Sequence, residues 1–372
     1  MSDKKIDAFF KSFSDAENML EYRMANDVLG EKVPVISTGS PGLDDALSCG
    51  GLPKGRIIQY YGSPGSGKTL MSMIAIIEAQ KEDEDSKQLF IDAEGTFSSD
   101  WADILGVDTS RVIVVDGDLA VNARKCFEML LGIPKEDAKH VLVGKSKEGL
   151  LDKVIAKEIK INLMILDSLG SIQPPGEDIA AVGKMNMSLL ARFLTTAMRK
   201  LSLEVKKANL PFIIINHKKD NMNAYSASDH TFSGGNTFGH FLSANIYFTA
   251  VQRKDAQILD DKEQKIGHPL KATIEKSKFG SWPRHAEFKV DFSKGVIDRH
   301  EEIAALALKY DIVQKPTTMS YVYGGTKWVG QAKFNEALLE DQDLCNEIEQ
   351  KVNDARNNKL DEKRAAVAGV KE

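Results

Sequence analysis

The segment Gly62-Ser63-Pro64-Gly65-Ser66-Gly67-Lys68-Thr69 fits the pattern G-x-x-x-x-G-K-[ST]. The chemistry of phosphate binding dictates that spacing. Glycines let consecutive backbone N–H groups turn inward around phosphates, and the helix that follows presents its positive N-terminal end to them. Lys68 is placed to reach the β- and γ-phosphates of a nucleoside triphosphate, and the Thr69 hydroxyl to ligate Mg²⁺. An apolar run, Ile57–Tyr61, precedes the loop and a helical pattern follows it, as this use requires.

Three further polar residues close apolar runs. Asp167 ends Leu163-Met164-Ile165-Leu166. A carboxylate at the C-terminal end of a buried parallel strand lies beside such a loop, where it can hold Mg²⁺ through water. Alone, a strand-end Asp is a turn former or helix cap. Glu94, in Phe90-Ile91-Asp92-Ala93-Glu94-Gly95, can orient the water that attacks the γ-phosphate or take its proton. A solvated loop acid, with Asp92 as the functional member, fits the same residues. His217 follows Phe212–Asn216 and can touch the γ-phosphate; a strand-end histidine satisfied by ordinary hydrogen bonds fits as well.

The stretch from Lys218-Lys219-Asp220 to Thr231-Phe232-Ser233 is long and polar, contains Tyr225, and closes in Gly234-Gly235-Asn236. Basic and aromatic residues together suit single-stranded nucleic acid, and a surface loop with no ligand is the alternative. A second candidate loop runs from Gln173-Pro174-Pro175-Gly176 to about Asn186. The helical pattern Lys184–Ala208 carries an apolar stripe that includes Met187, Leu194, Met198 and Val205, while Arg192, Thr196 and Arg199 share another face. That face can follow a phosphate backbone or be simply solvated. Lys276 and Lys278 share one face of an extended chain.

The elements that must position these residues alternate. Strands are predicted at Arg56–Tyr61, Leu89–Ile91, Val112–Val115, Asn162–Leu166 and Phe212–Ile215. Helical patterns lie between them, around Leu70–Lys81, Ala120–Leu131, Leu150–Glu158 and Lys184–Ala208. Short apolar strands separated by helices describe an α/β fold with a mostly parallel sheet covered on both faces. After Gly234, Ile246–Val251, Ala272–Glu275 and Ala286–Val290 read as hairpin-like additions to the sheet edge. The chain divides into a leader (1–33), a main body (34–297), a small C-terminal domain (298–355) and a charged tail expected to fray (356–372). Within the small domain Tyr321–Gly330 reads as turn-rich and Asn335–Val352 as helical. The leader's stripe of Ile6, Phe9, Phe10, Phe13, Leu20 and Met24 must pack on its own domain or on another subunit.

Composition bounds the rest. The 372 residues carry 49 Lys+Arg against 54 Asp+Glu, a net charge of −5, so bulk charge does not mark a nucleic-acid binder. With 42% hydrophobic and 28% charged residues, whole-chain disorder and coiled coil are excluded. Cys49, Cys126 and Cys345 are scattered, which disfavours a disulfide scaffold or a cysteine zinc site and fits a reducing compartment. No signal peptide is visible, and no apolar run reaches the length of a membrane span.

A wider set of blocks occurs in order: Ile36-Ser37-Thr38-Gly39-Ser40, Gly51-Leu52-Pro53-Lys54-Gly55-Arg56, Gly65-Ser66-Gly67-Lys68-Thr69, Phe90-Ile91-Asp92-Ala93-Glu94, Leu105-Gly106-Val107-Asp108, Leu166-Asp167-Ser168, Ala197-Met198-Arg199-Lys200-Leu201 and Gly234-Gly235-Asn236. Together they resemble the RecA family of homologous-recombination ATPases, over about Pro34 to Val352. Glu94-Gly95-Thr96-Phe97 is also similar to the archaeal and eukaryotic branch, and His217, where bacterial members have Gln, resembles phage recombinases.

The resemblance implies a RecA-like core and a cytoplasmic protein of a bacterium or a phage-infected host. It implies a helical filament on single-stranded DNA that pairs with homologous duplex, with ATP and Mg²⁺ at each subunit interface and single-strand-binding and loading proteins as partners. It makes Glu94 the activator of water, His217 the γ-phosphate sensor and Trp101 the aromatic residue against adenine. Lys276 and Lys278 become the pair that reaches the neighbour's ATP. Gly176–Met187, with Lys184, becomes the first DNA-binding loop and Lys218–Ser233 the second. Met187, Arg192, Arg199, Lys218, Lys219, Tyr225, Gly234, Gly235 and Asn236 are then DNA-contacting positions, and the leader docks on the adjacent protomer. Two other readings keep the same nucleotide core: a ring-forming helicase-like ATPase, and a non-catalytic mediator that holds ATP as a structural ligand.

Overall fold

A computed structural model describes residues 33–136, 142–175, 187–220, 230–251, 256–280 and 284–369. Residues 1–32 of the leader, residues 176–186 of the first candidate loop with Lys184, and Tyr225 therefore lie outside the described residues.

The chain enters through β1 (Val35–Ile36), helix α1 (Pro41–Ala46) and β2 (Leu52–Pro53), which pairs with β1. Helix α1 starts where the sequence says it must. Pro41 occupies its first turn and Ser40 accepts a hydrogen bond from the Leu43 N–H, a cap worth about 1 kcal/mol. Then strands and helices alternate: β3 (Ile57–Gly62), α2 (Lys68–Glu82), β4 (Lys87–Asp92), α3 (Ser99–Leu105), β5 (Val112–Val115), α4 (Gly117–Val121) and α5 (Ala123–Leu131). A hairpin of β6 (Ile133–Glu136) and β7 (Leu142–Lys147) follows, with α6 (Leu150–Ile155), β8 (Ile161–Asp167), α7 (Met187–Ala208) and β9 (Phe212–Asp220) after it. Last in the core come β10 (His230–Phe232), α8 (Gly235–Phe241), β11 (Ala244–Ala250), β12 (Ile258–Leu259), β13 (Lys265–Ser277), β14 (Arg284–Asp291) and β15 (Gly295–Ile297).

The large sheet runs β15-β14-β13-β11-β3-β9-β8-β4-β5. From β11 to β5 every pairing is parallel, and β13, β14 and β15 add antiparallel strands at the edge. Alternation along each strand feeds two cores. Ile58, Tyr60, Phe90, Leu163, Ile213 and Ile215 face one layer; Ile57, Leu89, Ile91, Met164, Leu166, Phe212 and Ile214 face the other. Burial on both faces explains why the strands read as continuous apolar runs.

In the core, three local features differ from the sequence reading or go beyond it. The helix expected over Ala120–Leu131 breaks at Asn122, whose side chain caps the Lys125 N–H and starts α5 afresh. The hairpin of β6 and β7 was not legible in its lysine-rich sequence. Strand β9 runs past Asn216 to Asp220 and pairs with β10, so the polar stretch after His217 begins and ends as a hairpin.

The C-terminal unit holds α9 (Arg299–Lys309), a three-stranded sheet of β16 (Gln314–Thr317), β17 (Ser320–Tyr323) and β18 (Thr326–Val329), then α10 (Gln331–Glu340) and α11 (Gln342–Gly369). The stretch read as turn-rich is thus a hairpin. Gly324 and Gly325 both have positive φ (57° and 83°), the conformation a two-residue hairpin turn requires. Helix α11 continues to Gly369 through the segment expected to fray. The unit has its own core, including Ile303, Ala307, Tyr321, Phe334, Leu338, Ile348 and Val352.

The unit joins the core through buried carboxylates. Glu302 accepts hydrogen bonds from the Ser40 hydroxyl (2.5 Å) and the Gly42 N–H (2.9 Å). Burial pushes Glu302 up to about 7; these two hydrogen bonds and the charge of Arg299 oppose the rise, and Asp44 adds to it. The folded protein therefore holds this proton more tightly than the unfolded chain, where the group titrates near 4.5. The linked stability is fully present below that pH and is lost as pH rises through about 7, on the order of 3 kcal/mol across the window. Glu302→Gln should flatten that part of the profile and melt above the wild type on the alkaline side. Superimposable melting profiles against pH would show that Glu302 does not titrate there.

Candidate nucleotide site

The strand register gathers the chemistry at one end of the sheet. Gly62, the last residue of β3, pairs with His217 on β9, and Asp92 on β4 pairs with Asp167 on β8. These are the C-terminal ends of parallel strands, where α/β sheets place their ligands. Gly62 leads into the glycine loop, and α2 starts at Lys68 from Gly67, which sits in the left-handed region (φ 84°) with the Leu270 side chain pressed against it. A side chain at Gly67 would collide there.

The loop is built to receive phosphate. The Lys68 ammonium is buried and donates to the carbonyls of Gly62 (3.2 Å) and Ser63 (2.9 Å). Burial lowers its pKa, against the charges of Asp167 and Glu94. The Ser66 hydroxyl is buried without a hydrogen-bond partner, a polar atom that a bound phosphate can satisfy. Thr69 Oγ1 donates to Asp167 Oδ2 at 2.8 Å. Burial pushes Asp167 up to about 6; Thr69 and Lys68 oppose this, and Glu94 adds to it. A buried carboxylate destabilised as an anion, beside a hydroxyl, suits a divalent cation that keeps most of its ligands as water and phosphate. Among the described residues no group of three or more His, Cys, Asp or Glu forms a complete metal cage.

Asp92 and Glu94 differ in their partners. Asp92 Oδ1 accepts from the N–H groups of Gly95 (2.8 Å) and Thr96 (3.1 Å), and Oδ2 from Phe97 (2.8 Å). Both its oxygens hold the loop after β4. Glu94 points elsewhere: its Oε1 accepts from Ser168 Oγ (2.5 Å) and lies 2.6 Å from His217 Nε2. Burial works against its ionisation, but the hydrogen bonds of Ser168 and His217 and the charges of His217 and Lys68 outweigh it, so its pKa is lowered. The site thus brings Lys68, Thr69, Asp167, Glu94 and His217 together. Ser168, which sequence reasoning did not single out, joins them; its place directly after Asp167 was the available signal.

Trp101 is half-buried on α3, and its Nε1 donates to the Phe292 carbonyl at 2.7 Å. Phe292 is 39% exposed just after β14, and no sequence pattern marks it.

The lysine pair lies elsewhere. Lys276 pairs with Asn245, itself level with Gln59, and the Lys278 N–H reaches the Ser243 carbonyl near Ile57. That places them roughly 10 and 16 Å back along β3 from Gly62. Their ammonium groups donate to the carbonyls of Gly239 and His240, the last turn of α8. Burial lowers both pKa values, with Lys278 adding to the effect on Lys276 and Arg56 to that on Lys278. Arg56, Arg199, Lys206, His240 and Lys278 line one cleft of about 400 Å³ with no carboxylate in its wall.

Arg192, Thr196 and Arg199 are exposed on α7 while Leu194, Met198, Leu201 and Val205 are buried, as the stripe required. Lys218 stacks 5.9 Å from the Tyr247 ring centroid. Met187 opens α7, Lys219 lies in β9, and Gly234, Gly235 and Asn236 form the start of α8.

A family model for the RecA N-terminal domain matches residues 11–146 and 137–297. Curated relatives share similar identity over nearly the whole chain. The chain is 30% identical over 349 residues to Protein RecA of Cytophaga hutchinsonii, covering 93% of this chain and 88% of that protein. It is 31% identical over 326 residues to Protein RecA of Pseudomonas putida, covering 87% and 82%. For Protein RecA of Leptospira meyeri the figures are 30% over 334 residues, covering 89% and 77%. With the α/β core, the small C-terminal sheet and these matches, the chain belongs to the RecA family.

Proposed function

We propose that this protein is an ATP-dependent recombinase. It assembles as a helical filament on single-stranded DNA, pairs that strand with homologous duplex, and hydrolyses ATP when DNA is bound. The glycine-loop N–H groups and Lys68 hold the phosphates, Thr69 and Asp167 hold Mg²⁺, and Trp101 flanks the base. Bound ATP supplies the anhydride bond to be broken, and Mg²⁺ offsets its charge. Glu94 orients the attacking water and takes its proton, Ser168 and His217 fix the Glu94 carboxylate, and His217 carries the state of the site into β9.

The observation that carries this reading is the division of the charged residues. The phosphate loop closes β3, whereas the lysine pair lies roughly 10 and 16 Å back along that strand with both ammonium groups tied to the end of α8, so the lysines of one copy stand away from its own phosphate loop. A second copy can bring its lysines there, through a head-to-tail contact that propagates. The exposed arginines of α7, Lys218 and the start of α8 then line the DNA path, with Gly176–Met187 as the first DNA-binding loop and Lys218–Ser233 as the second. The leader (1–33) docks on the adjacent protomer, the 298–355 unit lies near incoming duplex, and the 356–372 segment extends from it. The protein works in the cytoplasm of a bacterium or an infected host, with single-strand-binding and loading proteins.

Electron microscopy with single-stranded DNA and a slowly hydrolysed ATP analogue tests the proposal. Open helical filaments that lengthen the DNA are expected, and they should dissociate as salt is raised. Closed rings would favour the helicase-like reading, and no assembly the mediator.

A further inference from the structure

We propose that His268 reads the edge of the nucleobase, forming a hydrogen bond from its imidazole to a base held beside Trp101 and Phe292. The inference rests on the nucleotide reading above and adds a residue that neither the sequence motifs nor the family blocks single out.

His268 is 5% exposed, and neither Nδ1 nor Nε2 has a hydrogen-bond partner. A buried polar group left unsatisfied is destabilising, and an apolar residue of similar size would fold better at this position. Its location supplies a reason for it. Along β13, His268, Leu270, Ala272 and Ile274 are the buried alternate positions. Leu270 presses on Gly67 at the mouth of the phosphate loop. His268 is one pleat further, roughly 6.5 Å beyond Leu270 and away from the lysine pair. A base stands off from its phosphates through the ribose by a distance of the same order.

The neighbours suit a base. The Phe292 ring meets the His268 ring edge-to-face, with centroids 5.4 Å apart. The Phe292 carbonyl in turn holds the Trp101 indole at 2.7 Å. Two aromatic rings offer faces for stacking, and Phe292, in contact with the imidazole, is itself partly exposed. Burial, and then the charge of Lys265, lower the His268 pKa. A neutral imidazole has one donor and one acceptor, which matches a base edge, whereas a phosphate calls for a cation.

Calorimetric titration of ATP and of inorganic tripolyphosphate, which lacks a base, tests this in wild type, His268→Leu and His268→Asn. The leucine variant should bind ATP about tenfold more weakly, the scale of one hydrogen bond, with tripolyphosphate affinity unchanged. Asparagine should recover most of the loss, and the leucine variant should melt higher than wild type without nucleotide. Unchanged ATP affinity in the leucine variant would overturn the proposal, as would an equal loss for tripolyphosphate. A wild-type protein that binds neither ligand would overturn the nucleotide site itself.

Discussion

Glu94→Gln is expected to slow ATP hydrolysis by roughly 10²- to 10⁴-fold, the usual contribution of a positioned general base, while ATP binding and filament assembly persist. The substitution keeps the shape of the side chain and its contact with Ser168. It removes the negative charge that accepts a proton. The structure separates this outcome from that of Asp92→Asn. Asp92 holds three backbone N–H groups and bears on the loop itself, so its loss should weaken folding around Gly95 before it touches chemistry. Single-turnover hydrolysis with a separate binding measurement distinguishes the two. A Glu94→Gln protein that turns over at the wild-type rate would remove Glu94 from the mechanism.

The second large effect concerns Lys276 and Lys278. Replacing both by alanine should lower DNA-dependent turnover by roughly 10³-fold, the lower range for a cation supplied across an interface. The decisive measurement mixes that variant with Glu94→Gln. Each is inactive alone, but a filament containing both has some interfaces with an intact Glu94 on one side and intact lysines on the other. A one-to-one mixture should recover about a quarter of the wild-type rate if protomers mix at random across one head-to-tail interface. A mixture no more active than its parents would mean that the lysines act within their own chain.

The parallel core was readable because its strands are buried on both faces. Runs such as Leu163-Met164-Ile165-Leu166 admit few other placements, and the helices between them carry clear stripes. The phosphate loop was readable because eight consecutive residues carry it. What depends on distant partners was not. Nothing local told Asp92 from Glu94; their contacts differ only in the fold, where backbone N–H groups take up both oxygens of Asp92. The contact of Lys276 with Gly239 spans 37 residues, and no spacing rule links a strand-end lysine to a helix C-terminus so far away. In the small domain, Gly324-Gly325 between Tyr323 and Thr326 was a hairpin signal that the surrounding turn residues obscured.

Helix α8 has a consequence for energetics. Its seven residues begin at Gly235, three residues after β10 ends, and carbonyls of its last turn hold both lysines. About 10 Å of rigid rod therefore separates the two proposed ligand-facing ends. If a neighbour's triphosphate draws the ammonium groups away, the carbonyl end loses its cations, and the glycine end changes with it. Thermodynamics makes such a link reciprocal: whatever factor nucleotide contributes to the affinity for a DNA strand, the strand must return to the affinity for nucleotide. Titrating each ligand in the presence and absence of the other should give a single coupling constant, and alanine at both lysines should bring it close to one.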